Sequence, residues 1–320
     1  METRPLGNSG LRTPPLVFGG NVFGWTADER ASFSLLDAFV AGGFTTIDTA
    51  NSYSRWVPGH QGGESETIIG RWLKGRSDRD RLIIATKVGS DMGPAGKGLS
   101  RAHIERSVDD SLRRLQTDYI DLYQSHFDDE STPVEETLDA YAALIAAGKV
   151  RAIGASNMAP ARLERSLALS RERGIPRYET LQPLYNLYDR ATYERDYAPI
   201  AAREGIAVIP YYPLASGFLT GKYRSAADVA GTARAHSNTK YLNERGLRIL
   251  AAMDQVAAAR RISLASIAIA WLLSKPTVTA PIASATKIAQ LEELMAATRV
   301  TLSADEIAVL DAASAPDDAA

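Results

Sequence analysis

The chain has 320 residues, is 45% hydrophobic and 23% charged, and carries a formal net charge of -2. That balance gives no broad attraction to nucleic acid or to an anionic membrane surface, and the absence of cysteine excludes disulfides, thiolate metal sites and a cysteine nucleophile. The opening stretch METRPLGNSGL lacks the apolar core of a secretory signal, and no apolar run approaches the roughly 20 residues that span a bilayer; a cytoplasmic protein with no membrane and no nucleic-acid partner is expected.

Behind a short N-terminal extension, apolar runs that read as strands alternate with amphipathic stretches. The first four strand candidates are LVFGG from Leu16, FTTID from Phe44, LIIATK from Leu82 and YIDLYQSH from Tyr119. VRAIGASN from Val150, TLQPLYN from Thr180, IAVIPYY from Ile206 and TVTAPIAS from Thr277 follow. Most lack strict alternation, which suits strands of a parallel sheet covered on both faces. Between them, Ile104, Val108, Leu112 and Leu115 fall on one helical stripe. TPVE predicts a helix start with Thr132 as N-cap, Pro133 at the first position and Glu135 completing a capping box, and Gly148 suits its end. SADE at Ser303 to Glu306 repeats the capping signal.

Eight βα repeats without a linker of disordered composition predict one domain over residues 1–320. One stretch, residues 215–243 after the seventh strand, lacks apolar periodicity and is rich in glycine and small polar residues; it reads as a long loop. Such a series builds either an open doubly wound sheet or a closed barrel. Asp48, Lys87, His126, Asn157, Gln182 and Tyr211 each end a different strand candidate. An open sheet scatters such positions away from its switch point, whereas a (β/α)8 barrel gathers them at one mouth. The fold class predicted is therefore an α/β TIM barrel.

The chemistry must come from these strand ends. No G-x-G-x-x-G follows the first strand, there is no Walker loop, and GPAGKG at Gly93 to Gly98 reads as a flexible turn. The four histidines form no metal-ligand pair, so no metal is expected. Three readings of Lys87 are open: a side chain reaching out to water, a Schiff-base nucleophile, or an ammonium that tunes a neighbour. With Asp48, Tyr53 and His126 it makes a proton-delivery set. A free phenol has a pKa of about 10, which a nearby ammonium lowers, while a carboxylate keeps that ammonium charged despite burial. A neutral imidazole then orients a carbonyl oxygen.

The motifs DTANSY, GGESETIIG, ATKVG, LYQSH, IGASN, LQPLYN, IPYYPL, SGFLTGKY and PIASATKIAQLEEL, in this order, resemble those of the aldo-keto reductase superfamily over nearly the whole chain. The resemblance implies a (β/α)8 barrel that binds NADPH across its C-terminal mouth and reduces a small aldehyde or ketone. It places the catalytic set on Asp48, Tyr53, Lys87 and His126, with Tyr53 as general acid and His126 positioning the carbonyl. It assigns the carboxamide to Ser156, Asn157 and Gln182 and the nicotinamide stack to Tyr211. Pro213, Leu214, Ser216, Gly217 and Lys222 fall to the pyrophosphate segment within a cofactor-covering loop, and Ser284, Thr286 and Gln290 to the adenosine phosphate. Many relatives have Gly, a basic residue and Asn where this chain has Ser284, Thr286 and Leu294; NADH is thus the alternative cofactor, and Lys287 the substitute cation. Trp25 and Trp56 are expected to line the substrate site. The competing readings are a cofactor-binding regulatory subunit, like the channel-associated members of the superfamily, and a Lys87 Schiff-base aldolase.

Overall fold

A computed structural model describes residues 2–231 and 235–316. Its strands are β1 (Val17–Gly19), β2 (Thr46–Asp48), β3 (Ile83–Val88), β4 (Ile120–Ser125), β5 (Val150–Ser156), β6 (Tyr178–Gln182), β7 (Ala207–Val208) and β8 (Ile282–Ala283). They pair in parallel in chain order, with β8 beside β1. The ring closes between β7 and the approach to β8, where the Thr279 N–H donates to Val208 O at 2.8 Å and the Ile282 N–H to Pro210 O at 2.9 Å. The sheet is a (β/α)8 barrel, as the strand-end argument requires.

Helices α1 (Glu29–Ala41), α2 (Glu64–Leu73), α3 (Arg101–Leu115), α4 (Val134–Ala146), α5 (Pro160–Arg173) and α6 (Ala198–Glu204) follow the first six strands. Then come α7 (Glu244–Arg260), α8 (Leu264–Leu273), α9 (Ile288–Ala297) and α10 (Ala304–Ser314). The capping box of Ser303 and Glu306 forms as expected. That of Thr132 does not: the cap falls one residue later, on Pro133, and the Thr132 hydroxyl instead donates to Asp129 Oδ2 at 2.7 Å. The 215–243 stretch also departs from a bare loop. It folds into a 3-10 segment at Ala215–Thr220 and short helices at Ala226–Val229 and Ala235–Thr239, with Phe218 stacked on Tyr241 and both buried; residues 232–234 lie outside the described residues.

Alternation along the strands assigns every side chain to one of two sides. Phe18, Ile47, Ile84, Tyr123, Ile153, Leu181 and Val208 point outward into the apolar layer beneath the helices. Val17, Ile83, Ala85, Leu122, Ala152, Ala207 and Ile282 point inward, and Leu6 and Leu11 join them from the N-terminal hairpin that pairs Arg4–Pro5 with Arg12–Thr13. The hairpin plugs the barrel floor. By the same parity Asp48, Lys87, Gln124 and Gln182 must point inward one layer further up.

Gly154 sits in that upper layer. A β-carbon there would lie 2.1 Å from Thr180 Oγ1 and 3.1 Å from Gln124 Cγ, closer than side chains can pack. Gly154→Ala is expected to lower unfolding free energy by about 1–3 kcal/mol, read from the urea midpoint; an unchanged midpoint would show that the layer is loosely packed.

Candidate active site

The turn that follows β2 is pinned from three sides. The Thr49 N–H donates to Ala85 O at 2.8 Å, the Thr49 and Ser65 hydroxyls pair at 2.8 Å, and Ser65 donates to Gly20 O at 2.7 Å. Ser65 comes from the GGESET segment that opens α2, so this motif holds the turn that carries Tyr53. Ser54 then adopts a left-handed backbone with φ of 72° while its hydroxyl donates to Phe23 O at 2.7 Å. That conformation costs a non-glycine residue about 1–2 kcal/mol, and the buried hydrogen bond opposes the loss. The result is a Tyr53 ring directed back over the barrel mouth.

Lys87 is fully buried, and each of its three N–H donors has an acceptor. Nζ donates to Asp48 Oδ2 at 2.5 Å, to Thr49 O at 2.8 Å and to Tyr53 Oη at 2.9 Å. On the other side of the carboxylate, Asp48 Oδ1 accepts from Gln124 Nε2 at 3.1 Å and from Gln182 Nε2 at 2.9 Å. Both carboxylate oxygens are thereby satisfied, which a charge removed from water requires. Glu66, buried on α2 and bonded to Thr86 and Arg114, adds a second negative charge behind β3.

Burial pulls the Lys87 ammonium below its ordinary value, and Asp48 opposes it. Desolvation of its hydroxyl pushes the Tyr53 phenol well above its ordinary value, with the Asp48 charge adding to the effect. This reverses the direction expected from an isolated ammonium beside a phenol. Burial of the hydroxyl is the larger cause, and the Asp48 carboxylate, whose Oδ2 accepts from the Tyr53 hydroxyl at 3.4 Å, adds to it. Tyr53 therefore rests as a neutral proton donor. Desolvation, followed by the Lys87 charge, pulls His126 well below its ordinary range, so its imidazole is neutral. The ring is packed edge-on to Tyr53 at 5.9 Å and stacked on Phe127 at 4.9 Å, and Ser90 Oγ lies 2.8 Å from Nδ1.

The remaining expected residues divide into two groups. Tyr211, Asn157, Ser156 and Gln182 form a connected chain across the ends of β5, β6 and the segment after β7. Tyr211 Oη donates to Asn157 Oδ1 at 2.9 Å, Asn157 Nδ2 to His126 O and Ser156 Oγ at 3.0 Å each, and Ser156 Oγ to Gln182 O at 2.9 Å. Gln182 is drawn into the Asp48 layer. In the other group, Pro213, Leu214, Ser216 and Gly217 lie in a run where Tyr212, Ala215, Ser216 and Gly217 all have positive φ. A β-carbon on Gly217 would fall 3.3 Å from Lys222 Nζ. Ser284 Oγ bridges Gly19 O at 2.7 Å and Asn21 Oδ1 at 2.5 Å, and Gln290 Oε1 accepts from the Thr286 N–H at 3.0 Å. Trp25 and Trp56 meet edge to face at 5.7 Å beside Tyr53.

Sequence reasoning missed Gln124, Ser90 and Phe127. Gln124 shares the inward parity of Leu122 and was readable from the strand period; Phe127, 47% exposed beside the 50% exposed Trp56, signals itself only by its place at the rim. Among the described residues no group of three or more His, Asp or Glu side chains is arranged to hold a metal ion, and no single helix is long and apolar enough to cross a membrane.

Comparison with known proteins identifies the family. Residues 15–315 match the aldo/keto reductase family. The chain is 36% identical to the L-glyceraldehyde 3-phosphate reductase of Escherichia coli K12, across 97% of this chain and 92% of the relative. It is 32% identical to the aldo-keto reductase YhdN of Bacillus subtilis, across 96% and 91%. It is also 33% identical to a probable voltage-gated potassium channel subunit beta of Oryza sativa subsp. japonica, across 93% and 91%. The chain belongs to the aldo/keto reductase family and is an NAD(P)H-dependent oxidoreductase of small carbonyl compounds.

Proposed function

We propose that this enzyme reduces an aldehyde or ketone to the alcohol with NADPH, and that Tyr53 donates the proton. The observation that carries the reading is the buried Lys87 ammonium, which meets Asp48 on one side and the Tyr53 hydroxyl on the other. When bound, the nicotinamide cofactor supplies a hydride to the carbonyl carbon. The residues suit such a cofactor. Tyr212, Ala215, Ser216 and Gly217, all at positive φ, curl this segment into a compact turn against which a pyrophosphate would pack, and Lys222 stands beside Gly217 as a cation. Asn157 and Ser156 would hold the carboxamide and Tyr211 would stack on the ring, with residues 215–243 covering the pyrophosphate. Thr286, Gln290 and the exposed Lys287 at the start of α9 would take the adenosine phosphate.

The protein's own contribution is electrostatic. As the carbonyl oxygen gains negative charge it becomes far more basic than a phenolate, so the Tyr53 proton transfers even though desolvation holds it tightly in the resting enzyme. Lys87, already donating to that oxygen, stabilises the phenolate that remains. His126, neutral at physiological pH, donates to the same carbonyl oxygen from Nε2, for which no hydrogen-bond partner occurs among the described residues. Trp25, Trp56 and Phe127 wall the approach and exclude water. A Schiff base on Lys87 is disfavoured, since an amine with three hydrogen bonds and a carboxylate at 2.5 Å is protonated and has no free lone pair.

Three outcomes test the reading. Tyr53→Phe keeps NADPH affinity and loses about 10²–10⁴-fold in turnover with an aldehyde panel; tight cofactor binding with no turnover in the unaltered enzyme would favour the regulatory-subunit role instead. Because the His126 pKa is depressed, its neutral, active form persists on acidification past the ordinary histidine range, so kcat/KM shows no acid limb near pH 6.5. A limb there that disappears in His126→Asn would contradict this. Lys287→Ala raises KM for NADPH roughly tenfold and leaves KM for NADH unchanged; equal effects on both would remove the 2′-phosphate contact.

A further inference from the structure

Ser90 belongs to no motif that carries the family resemblance, yet it is the side chain that faces the inner nitrogen of His126. The turn that follows β3 brings it there. Gly89 has φ of 113°, a conformation open to glycine, and the Gly98 N–H donates to Gly89 O at 3.1 Å. Ser90 is 8% exposed, and its Oγ lies 2.8 Å from His126 Nδ1. Among the described residues this is the only hydrogen bond of the Ser90 hydroxyl.

The imidazole plane is fixed independently. The backbone N–H of His126 donates to Val88 O at 2.8 Å and anchors the main chain, while Phe127 stacks on the ring with an interplanar angle of 20° and Tyr53 meets it edge-on. With the plane fixed, what is left open is which nitrogen carries the proton. A backbone carbonyl opposite Nδ1 would force a proton onto that nitrogen, because a carbonyl only accepts. A hydroxyl both donates and accepts, so the choice rests on what else surrounds it. If Nδ1 were protonated, the Ser90 proton would lack an acceptor among the described residues, and Nε2 would present a lone pair to the lone pairs of an incoming carbonyl. If Ser90 donates to Nδ1, its proton is satisfied and Nε2 carries an N–H that faces the mouth.

We infer that Ser90 is a positioning residue that donates its hydroxyl proton to His126 Nδ1 and so sets the Nε2–H tautomer, the form that can donate to a substrate carbonyl oxygen. The inference rests on the role proposed above for His126. The burial that keeps the imidazole neutral supports it, since a doubly protonated ring would have no tautomer to set.

The test begins with the full-length protein labelled with 15N on histidine. In the unaltered enzyme the His126 resonances, assigned by their loss in His126→Asn, should show an unprotonated Nδ1 and a protonated Nε2. Ser90→Ala should mix the two tautomers and lower kcat/KM for a carbonyl substrate roughly tenfold, with the NADPH dissociation constant within twofold of its starting value. Ser90→Thr, which keeps the hydroxyl, should restore both the signature and the rate. A protonated Nδ1 in the unaltered enzyme, or full activity in Ser90→Ala, overturns the inference. The His126→Asn kinetics separate two failures: if that variant is impaired while Ser90→Ala is not, only the tautomer setting falls. If His126→Asn reduces carbonyls at the original rate, the role of His126 itself falls, and the inference with it.

Discussion

A cation with no exposure to water must be held by groups that themselves lie inside the protein, and Lys87 satisfies this at one point of the barrel. Its neighbours on either side are a carboxylate and a phenol. Every part of the upper interior serves that requirement. Gln124 and Gln182 occupy the far oxygen of Asp48, Gly154 leaves the space that Thr180 and Gln124 fill, and the Thr49–Ser65–Gly20 chain fixes the turn from which Tyr53 is presented. Removing one partner of a buried pair leaves the other charged and unsatisfied, at a cost of about 3–5 kcal/mol. The same cluster thus constrains folding and, in the proposed reaction, supplies the chemistry.

The balance of charges gives a different picture from a lysine acting alone. Asp48 is needed to keep the ammonium charged, yet it stands close enough to Tyr53 to offset the lysine's pull on the phenol. In the proposed reaction the site would store its proton firmly and release it only to a strong base formed as the hydride is transferred. That arrangement would protect the proton from loss to water while the mouth is open. The aromatic rim of Trp25, Trp56 and Phe127 belongs to the same logic, as desolvation strengthens every interaction beneath it.

Much of this was legible in the residues. Polar side chains at the ends of successive buried strands predict a closed barrel, and the inward positions of Asp48 and Lys87 follow from the two-residue period once the floor residues are known. The ordered motifs locate the four side chains at the mouth. What the residues do not show is which groups meet across the barrel. Ser90 and His126 are 36 residues apart and Gln182 and Asp48 are 134 apart, so their hydrogen bonds depend on strand tilt and turn shape. Thr132 is not the cap of α4, and its hydroxyl meets Asp129 instead, a contact that the local TPVE pattern does not encode. The 215–243 stretch hides its order because its buried side chains, Phe218, Leu219, Tyr223, Val229 and Tyr241, are spaced for several short turns and not for one helix.

The most direct measurement is a neutron diffraction map of the deuterated enzyme at neutral pH. Three deuterons on Lys87 Nζ, aimed at Asp48, Thr49 and Tyr53, with one on Tyr53 Oη and none on Asp48, is the result expected of an anchored ammonium beside a neutral phenol. Two deuterons on Nζ with one on the Asp48 carboxyl would describe a neutral pair, unable to stabilise a phenolate, and would contradict the account.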